Sequence, residues 1–133
     1  MTFTSSIAAF FWMPNFAVYS GTKAHNAMLA KMLNQALFKS AKTNGLIDLQ
    51  SLHPAGVSTN LNNFMKVGGD IVTAYACVKG SLSDLGQNKM NVFGATPHAV
   101  QGGLGLPLVN WSPHFQKQVG FKASKNPHIV MQD

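Results

Sequence analysis

Arginine and glutamate are both missing from this sequence of 133 residues. Its ten cationic side chains are all lysines, and its four acidic side chains are all aspartates. Because guanidinium groups hold phosphate through paired hydrogen bonds, their absence excludes that mode of anion binding from this chain. The formal net charge is +6, but the lysines are scattered along the chain and form no run. This distribution favours a solvated surface, and we predict no nucleic-acid partner.

Cysteine and long apolar runs are also scarce. The single cysteine, Cys77, cannot form a disulfide within the chain, and its apolar surroundings predict a core residue and not a nucleophile. The longest apolar stretches, residues 7–13 and 104–111, fall well short of the ~20 residues that span a bilayer. We expect no cleavable signal peptide, because no basic segment opens the chain. Three locations are compatible with the sequence: an intracellular location, the surface of the endoplasmic reticulum membrane and the mitochondrion.

The five histidines have no metal-ligand spacing, and no cysteine set accompanies them, so no metal site is predicted. His53 stands directly before Pro54, where a predicted strand ends. We expect it to be a packed polar residue near any cleft at that strand end, and a contact with substrate is the second interpretation.

Hydrophobic residues make up 46% of the chain, which is enough to bury the core of one domain. Apolar residues at three- and four-residue spacing predict a long helix from residue 16 or 17 to about residue 43. Asn44 and Gly45 are typical of a helix end. The apolar run at residues 46–52 predicts a buried strand. A helix followed closely by a strand indicates an α/β fold.

The rest of the chain gives weaker predictions. Residues from Pro54 onwards are expected to form a loop, and a short strand is expected at residues 91–93. Helices are predicted at the following places: weakly at residues 61–67, at residues 71–80, from about residue 98, and at residues 113–123, before a loop at residues 124–133.

Tyr19 and Lys23 carry the chemistry that the sequence suggests. They lie four residues apart in the predicted helix, so they share one face. Free tyrosine has a pKa of ~10 and is a poor acid at neutral pH, but a neighbouring ammonium favours the tyrosinate and lowers that pKa. Reduction of a ketone needs a hydride and a proton, and such a tyrosine could donate the proton. Ser6, at the end of the preceding strand, could hold the substrate oxygen.

The residues around Tyr19 and Lys23 form a more specific pattern than these two residues alone. Ser5-Ser6 is followed by an apolar loop, and Tyr19-Ser-Gly-Thr-Lys23-Ala24 then opens the long helix. The next strand ends in His53-Pro54-Ala55-Gly56-Val57-Ser58-Thr59. This arrangement resembles the short-chain dehydrogenase/reductase family, well over residues 1–61 and loosely over residues 62–133. Within that family it is most similar to the branch of 3-ketoacyl-CoA reductases and 17β-hydroxysteroid dehydrogenases.

The resemblance implies a fold, a cofactor and a site. The fold would be the C-terminal half of a Rossmann-like, doubly wound parallel sheet. Ser6, Tyr19 and Lys23 match the family's catalytic positions, and the cofactor, NAD or NADP, would contact four residues of this chain: Lys23, Pro54, Val57 and Thr59. The expected substrate is a hydrophobic carbonyl such as a 3-oxoacyl thioester or a steroid. Phe10-Phe11-Trp12 would line the substrate cleft or pack in an interface.

The family binds the dinucleotide on a glycine-rich turn after its first strand, and no such turn follows a predicted strand here. We therefore expect the polypeptide to be incomplete on its own, and to need a missing N-terminal segment or a second polypeptide that completes the sheet. The alternative is a non-catalytic structural subunit, derived from such an enzyme, within a larger complex. Membrane association also remains open.

Overall fold

A computed structural model describes residues 1–10, 15–38 and 46–105. Its helices and strands, in chain order, are β1 (Thr2–Thr4), α1 (Ala17–Phe38), β2 (Gln50–Leu52), β3 (Gly56–Ser58), β4 (Ile71–Thr73), α2 (Ala74–Ser83), β5 (Asn91–Val92) and α3 (Thr96–Val100). Two 3-10 turns, Ile7–Ala9 and Asn60–Asn62, and a π-helical turn, Gln101–Gly105, complete the set. The described part of the chain is therefore a mixed α/β structure, as predicted.

The central element is a sheet of three parallel strands in the order β1-β2-β5. Backbone hydrogen bonds extend the pairing past the strand ends. The Ser5 amide donates to the Leu52 carbonyl at 2.8 Å, and the His53 amide donates to the Val92 carbonyl at 2.7 Å. Because the strands are parallel, their carboxyl ends meet at one edge of the sheet.

Helix α1 packs against β1 and β2. Ala30 is fully buried in this contact, and the Asn34 side chain donates to the Leu49 carbonyl at 2.8 Å. The buried Gln50 side chain in β2 reaches the carbonyl and the hydroxyl of Ser81 in α2, at 3.0 and 3.1 Å. Both long helices are thus tied to the central strand.

A second, two-stranded sheet pairs β3 with β4 in parallel. The fully buried His98 side chain contacts the backbone where both strands begin. Its Nε2 lies 3.2 Å from the Gly56 carbonyl and 3.0 Å from the Asp70 carbonyl. Helix α2 follows β4 directly, and the Thr73 hydroxyl caps it by accepting the Ala76 amide at 3.1 Å.

The long helix was predicted to begin at residue 16 or 17, and α1 begins at Ala17. The strand predicted at residues 46–52 is confined to Gln50–Leu52, and the short strand at residues 91–93 is found at Asn91–Val92. Helix α3 begins at Thr96, two residues before the start predicted near residue 98. The predicted end of the long helix near residue 43, its stop at Asn44-Gly45, the helix at residues 113–123 and the loop after it lie outside the described residues.

Three predictions between Pro54 and residue 80 were wrong in detail. The expected loop contains β3, and the expected helix at residues 71–80 begins only at Ala74, because Ile71–Thr73 forms a strand. Three β-branched residues in succession favour a strand once a partner is present. The helix expected at residues 61–67 is reduced to the single 3-10 turn Asn60–Asn62.

Candidate active site

The carboxyl edge of the three-stranded sheet holds three residues that the sequence singled out, Ser6, His53 and Pro54, together with Phe93. Ser6 follows β1, His53 and Pro54 follow β2, and Phe93 follows β5. In open sheets of parallel strands, ligands bind outside this edge. It is therefore the natural place to look for a functional site.

Ser6 closes the end of β1. Its backbone is extended, and its hydroxyl accepts the Ala8 amide at 3.2 Å, which caps the turn Ile7–Ala9. The same hydroxyl lies 3.5 Å from the Pro54 carbonyl, and that carbonyl accepts the Ile7 amide at 3.0 Å. Only 8% of Ser6 is exposed. A substrate carbonyl oxygen would accept the hydroxyl proton of Ser6 and would therefore compete with the Pro54 carbonyl, and not with the Ala8 amide.

Two side-chain contacts attach α1 to the tip of β1. The Ser5 hydroxyl donates to the Lys23 carbonyl at 2.6 Å, and the Asn26 amide donates to the Thr4 carbonyl at 3.1 Å. Ser5 is almost completely buried. These bonds hold the helical turn that carries Lys23 beside the strand end that carries Ser6.

Tyr19 and Lys23 lie on one face of α1, one turn apart. The Lys23 ammonium is 5.6 Å from the centroid of the Tyr19 ring, within the range of a cation–π interaction. Both side chains are half-buried. Phe16 contacts the Tyr19 ring edge-on at 6.3 Å between centroids, and the Thr22 hydroxyl donates to the Tyr19 carbonyl at 2.7 Å. The phenol and the ammonium are thus close neighbours at the start of the helix.

His53 is the most enclosed titratable group at this edge. Its Nδ1 lies 3.4 Å from the Ser6 carbonyl, and its Nε2 lies 3.2 Å from Asn91 Oδ1. Phe10 and Phe93 contact the ring at centroid distances of 4.7 and 6.0 Å. Burial lowers the pKa of His53 below its ordinary value of 6.5, against the opposing effect of its hydrogen bonds to Asn91 and Ser6. It is a packed polar residue at a strand end, as the sequence indicated.

The residues predicted to contact a cofactor after β2 separate into two groups. Pro54 lies against Ser6, whereas Val57 belongs to β3, and Thr59 follows that strand. Asn62 fixes this segment, because its side chain accepts the Thr59 amide at 2.9 Å and donates to the Val57 carbonyl at 2.8 Å. Sequence reasoning missed Asn62. The signal was an asparagine just after a proline- and glycine-containing segment, since asparagine side chains commonly bond nearby backbone.

A cleft of about 380 Å³ opens beside β5. Its lining includes Asp84, Lys89, Asn91 and Phe93, and it touches neither Ser6 nor the Tyr19–Lys23 pair. The 2.6 Å ion pair between Lys89 and Asp84 lies in its wall. We do not assign the candidate site to this cleft, because the side chains with the relevant chemistry lie elsewhere.

Within residues 1–10, 15–38 and 46–105, no three histidine, cysteine or acidic side chains lie close enough together to hold a metal ion. In the same ranges, no helix combines the length and the apolar character needed to cross a membrane. The chain matches no protein-family model, no curated protein and no solved structure.

Proposed function

We propose that this chain is the catalytic half of an NAD(P)-dependent oxidoreductase that reduces a hydrophobic carbonyl, such as a 3-oxoacyl thioester or a steroid. The observation that carries the proposal is the cation–π contact of 5.6 Å between Lys23 and Tyr19, on a helix tied to the tip of β1. That strand tip leads directly into Ser6. A phenol, an ammonium and a hydroxyl are the groups that carbonyl reduction of this type needs.

The fold supports the same proposal. Three parallel strands with β2 between β1 and β5, and a long helix connecting β1 to β2, are compatible with the C-terminal half of a Rossmann-like sheet. In such a half, β1 would lie next to the strands of the other half. We propose that a preceding segment or a second polypeptide completes the sheet along β1, and that the cofactor binds between the two halves.

The described residues offer part of a nucleotide site. Lys23 is a half-buried cation that could donate to ribose hydroxyls, and Pro54, Val57 and Thr59 are half-buried residues that could border the nicotinamide. Within the described ranges, no glycine-rich turn joins a strand to a helix, so the pyrophosphate would have to be bound by the other half. The bound cofactor, NADPH or NADH, would supply the hydride.

The chain's own residues would then handle the oxygen and the proton. Ser6 would hold the carbonyl oxygen through its hydroxyl, and Tyr19 would donate its phenolic proton to that oxygen as the alcohol forms. The Lys23 ammonium, 5.6 Å from the centroid of the Tyr19 ring, would hold the ribose of the cofactor beside the phenol. Water or a bound hydroxyl would return the proton to Tyr19 before the next turnover.

The experiment is a reductase assay on the full chain, purified together with any polypeptide that accompanies it. The readout is NADPH or NADH oxidation with a long-chain 3-oxoacyl thioester and, separately, with a steroid ketone. We expect Tyr19→Phe to lower kcat by at least about 100-fold, the usual scale of general acid catalysis. Tyr75→Phe is the matched control, because Tyr75 is an exposed tyrosine on α2. Equal activity of the two variants would reject the role of Tyr19.

Lys23→Gln gives a second test, with Lys31→Gln as its control on an exposed position of the same helix. We expect the Lys23 change to reduce kcat and weaken nucleotide binding, and the Lys31 change to do neither. A preparation that neither binds the nucleotide nor oxidises it with any carbonyl would exclude the enzymatic proposal.

The alternative, a non-catalytic structural subunit derived from such an enzyme, has one specific observation in its favour. The Ser6 hydroxyl is already used as the cap of the turn Ile7–Ala9, and Ser6 is mostly buried. If the subunit is structural, Ser6→Ala should destabilise the turn, and Tyr19→Phe should leave assembly with the partner polypeptide unchanged. Co-purification of the variants measures this.

A further inference from the structure

The three strands of the central sheet are connected by one side chain. The His53 ring follows β2, its Nδ1 faces the carbonyl of Ser6 beyond β1, and its Nε2 faces the side chain of Asn91 in β5. The His53 side chain is fully buried, whereas Asn91 is exposed. The proposed reaction gives this ring no chemical step.

We infer that His53 is a positioning residue, which fixes the backbone of Ser6 by donating its Nδ1 proton to the Ser6 carbonyl. As far as catalysis is concerned, this inference rests on the proposed function. The hydrogen bond itself does not, and it can be tested on a protein without activity.

The protonation state follows from the partners. Both atoms that face the ring are oxygens, and a neutral imidazole donates from only one nitrogen. Burial holds the ring in its neutral form by lowering the pKa of His53. The Ser6 carbonyl can only accept, whereas the exposed Asn91 amide can rotate and present its NH₂ group to Nε2. The arrangement that satisfies both contacts therefore has the proton on Nδ1.

The ring is held in the orientation that this bond needs. Phe10 contacts it at 4.7 Å with an interplanar angle of 47°, and Phe93 contacts it at 6.0 Å with an angle of 46°. Phe10 itself follows the turn that Ser6 caps, and its amide donates to the Ile7 carbonyl at 3.0 Å. Phe10 therefore connects the His53 ring to the turn Ile7–Ala9.

The Ser6 carbonyl has a second partner, the Ala9 amide at 3.0 Å, and the Ser6 hydroxyl accepts the Ala8 amide at 3.2 Å. Loss of the His53 contact would free one side of the carbonyl and loosen the turn. The Ser6 hydroxyl, which the proposed reaction needs in a fixed place, would then be held less firmly.

Hydrogen–deuterium exchange of the Ala8 and Ala9 amides measures directly how often the hydrogen bonds of the turn open. It is measured on the full chain, within its complex if it forms one. The variants His53→Asn and His53→Leu place side chains of nearly the same shape at this position. Only the asparagine side chain keeps a donor near the place of Nδ1. We expect exchange about tenfold faster for His53→Leu than for His53→Asn, the scale of one net hydrogen bond. His25→Asn, at an exposed position of α1, is the control and should leave exchange unchanged.

Nitrogen NMR of the wild-type histidines decides the tautomer without any variant. A signal for His53 with the proton on Nδ1 supports the inference, and a proton on Nε2 would overturn it. Equal exchange in the leucine and asparagine variants, or fast exchange of both amides already in the wild type, would overturn it as well.

Activity adds a separate readout if the proposed reductase reaction is observed. For His53→Leu, we expect the factor by which kcat falls to be about ten times the factor by which KM rises. His53→Asn should recover most of the loss in kcat. If no carbonyl reduction is observed with any variant, the proposed function fails, while the exchange and NMR results still decide the role of His53.

Discussion

Gly80 of α2 and Gly94, which follows β5, meet backbone to backbone. A Cβ atom added to Gly80 would collide with the Gly94 carbonyl oxygen and would lie 2.7 Å from its carbonyl carbon. Gly94 itself has a φ of +76°, which favours glycine, and a Cβ atom added there would lie 2.8 Å from both the carbonyl oxygen and the sulfur of Cys77. This contact sets how closely α2 approaches the end of β5, and so the position of the sheet edge.

Gly80→Ala is therefore expected to destabilise the fold by about 2 kcal/mol, since two backbones would have to move apart. Gly21→Ala is the matched control, because it lies in α1 with no heavy atom within 4 Å of the added Cβ. Alanine there should be neutral or stabilise the helix by up to about 1 kcal/mol. Urea unfolding of both variants measures the difference, and equal stabilities would show that the contact between the glycines is not tight.

The pKa of His53 makes stability depend on pH. Because burial lowers this pKa in the folded chain, the unfolded chain binds the proton first as the pH falls. The contribution of neutral His53 is fully present above pH 6.5, the ordinary value, and is lost as the pH drops below it towards the folded pKa. We expect the thermal midpoint to fall with acidification in this window. His53→Asn should show a shallower decline, and an unchanged slope would contradict the prediction.

Residue spacing was sufficient to predict the first turn of α1 and the shared face of Tyr19 and Lys23. The start at Ala17 is a local property, because it depends on apolar residues within the same helix. The contacts that attach this helix to the sheet are not local. The bond from Ser5 to the Lys23 carbonyl joins residues 18 positions apart, and no spacing rule predicts it.

The second sheet shows still more clearly that contacts between distant segments are not predicted from residue spacing. The segment after Pro54 contains glycine and has no alternating pattern, so the sequence predicted a loop. It becomes β3 because β4 pairs with it and because His98, 42 residues after Gly56, bonds to its backbone. Pairing between segments that are distant in sequence is decided by packing, and single-residue propensity does not encode it.

The start of α2 offers a prediction about a single hydroxyl. Thr73 Oγ1 accepts the Ala76 amide at 3.1 Å, and the Thr73 backbone is extended, as an N-cap requires. Thr73→Ala should cost about 1 kcal/mol of the free energy of unfolding. Thr73→Ser keeps the hydroxyl and should recover most of this loss in the same urea titration. Equal losses for serine and alanine would assign the effect to the methyl group and to its place in β4.

The last prediction concerns the polar centre of the sheet. Gln50 is fully buried in the middle strand, and its Nε2 lies 3.0 Å from Thr2 Oγ1 and 3.0 Å from the Ser81 carbonyl. It thereby connects β1, β2 and α2 at one point. Gln50→Ala would remove these bonds and leave a cavity, so we expect a loss of about 3 kcal/mol.

Gln87→Ala is the matched control for Gln50. The Gln87 side chain donates to the Ser83 carbonyl at 2.7 Å, but this bond is exposed to solvent and lies within one chain segment. Water replaces such a bond at little cost, and we expect a change within about 0.5 kcal/mol. If both variants were equally stable in urea, the buried amide would not be what joins the strands. The carboxyl edge that holds Ser6 and His53 would then depend on the backbone ladder and on α1 alone.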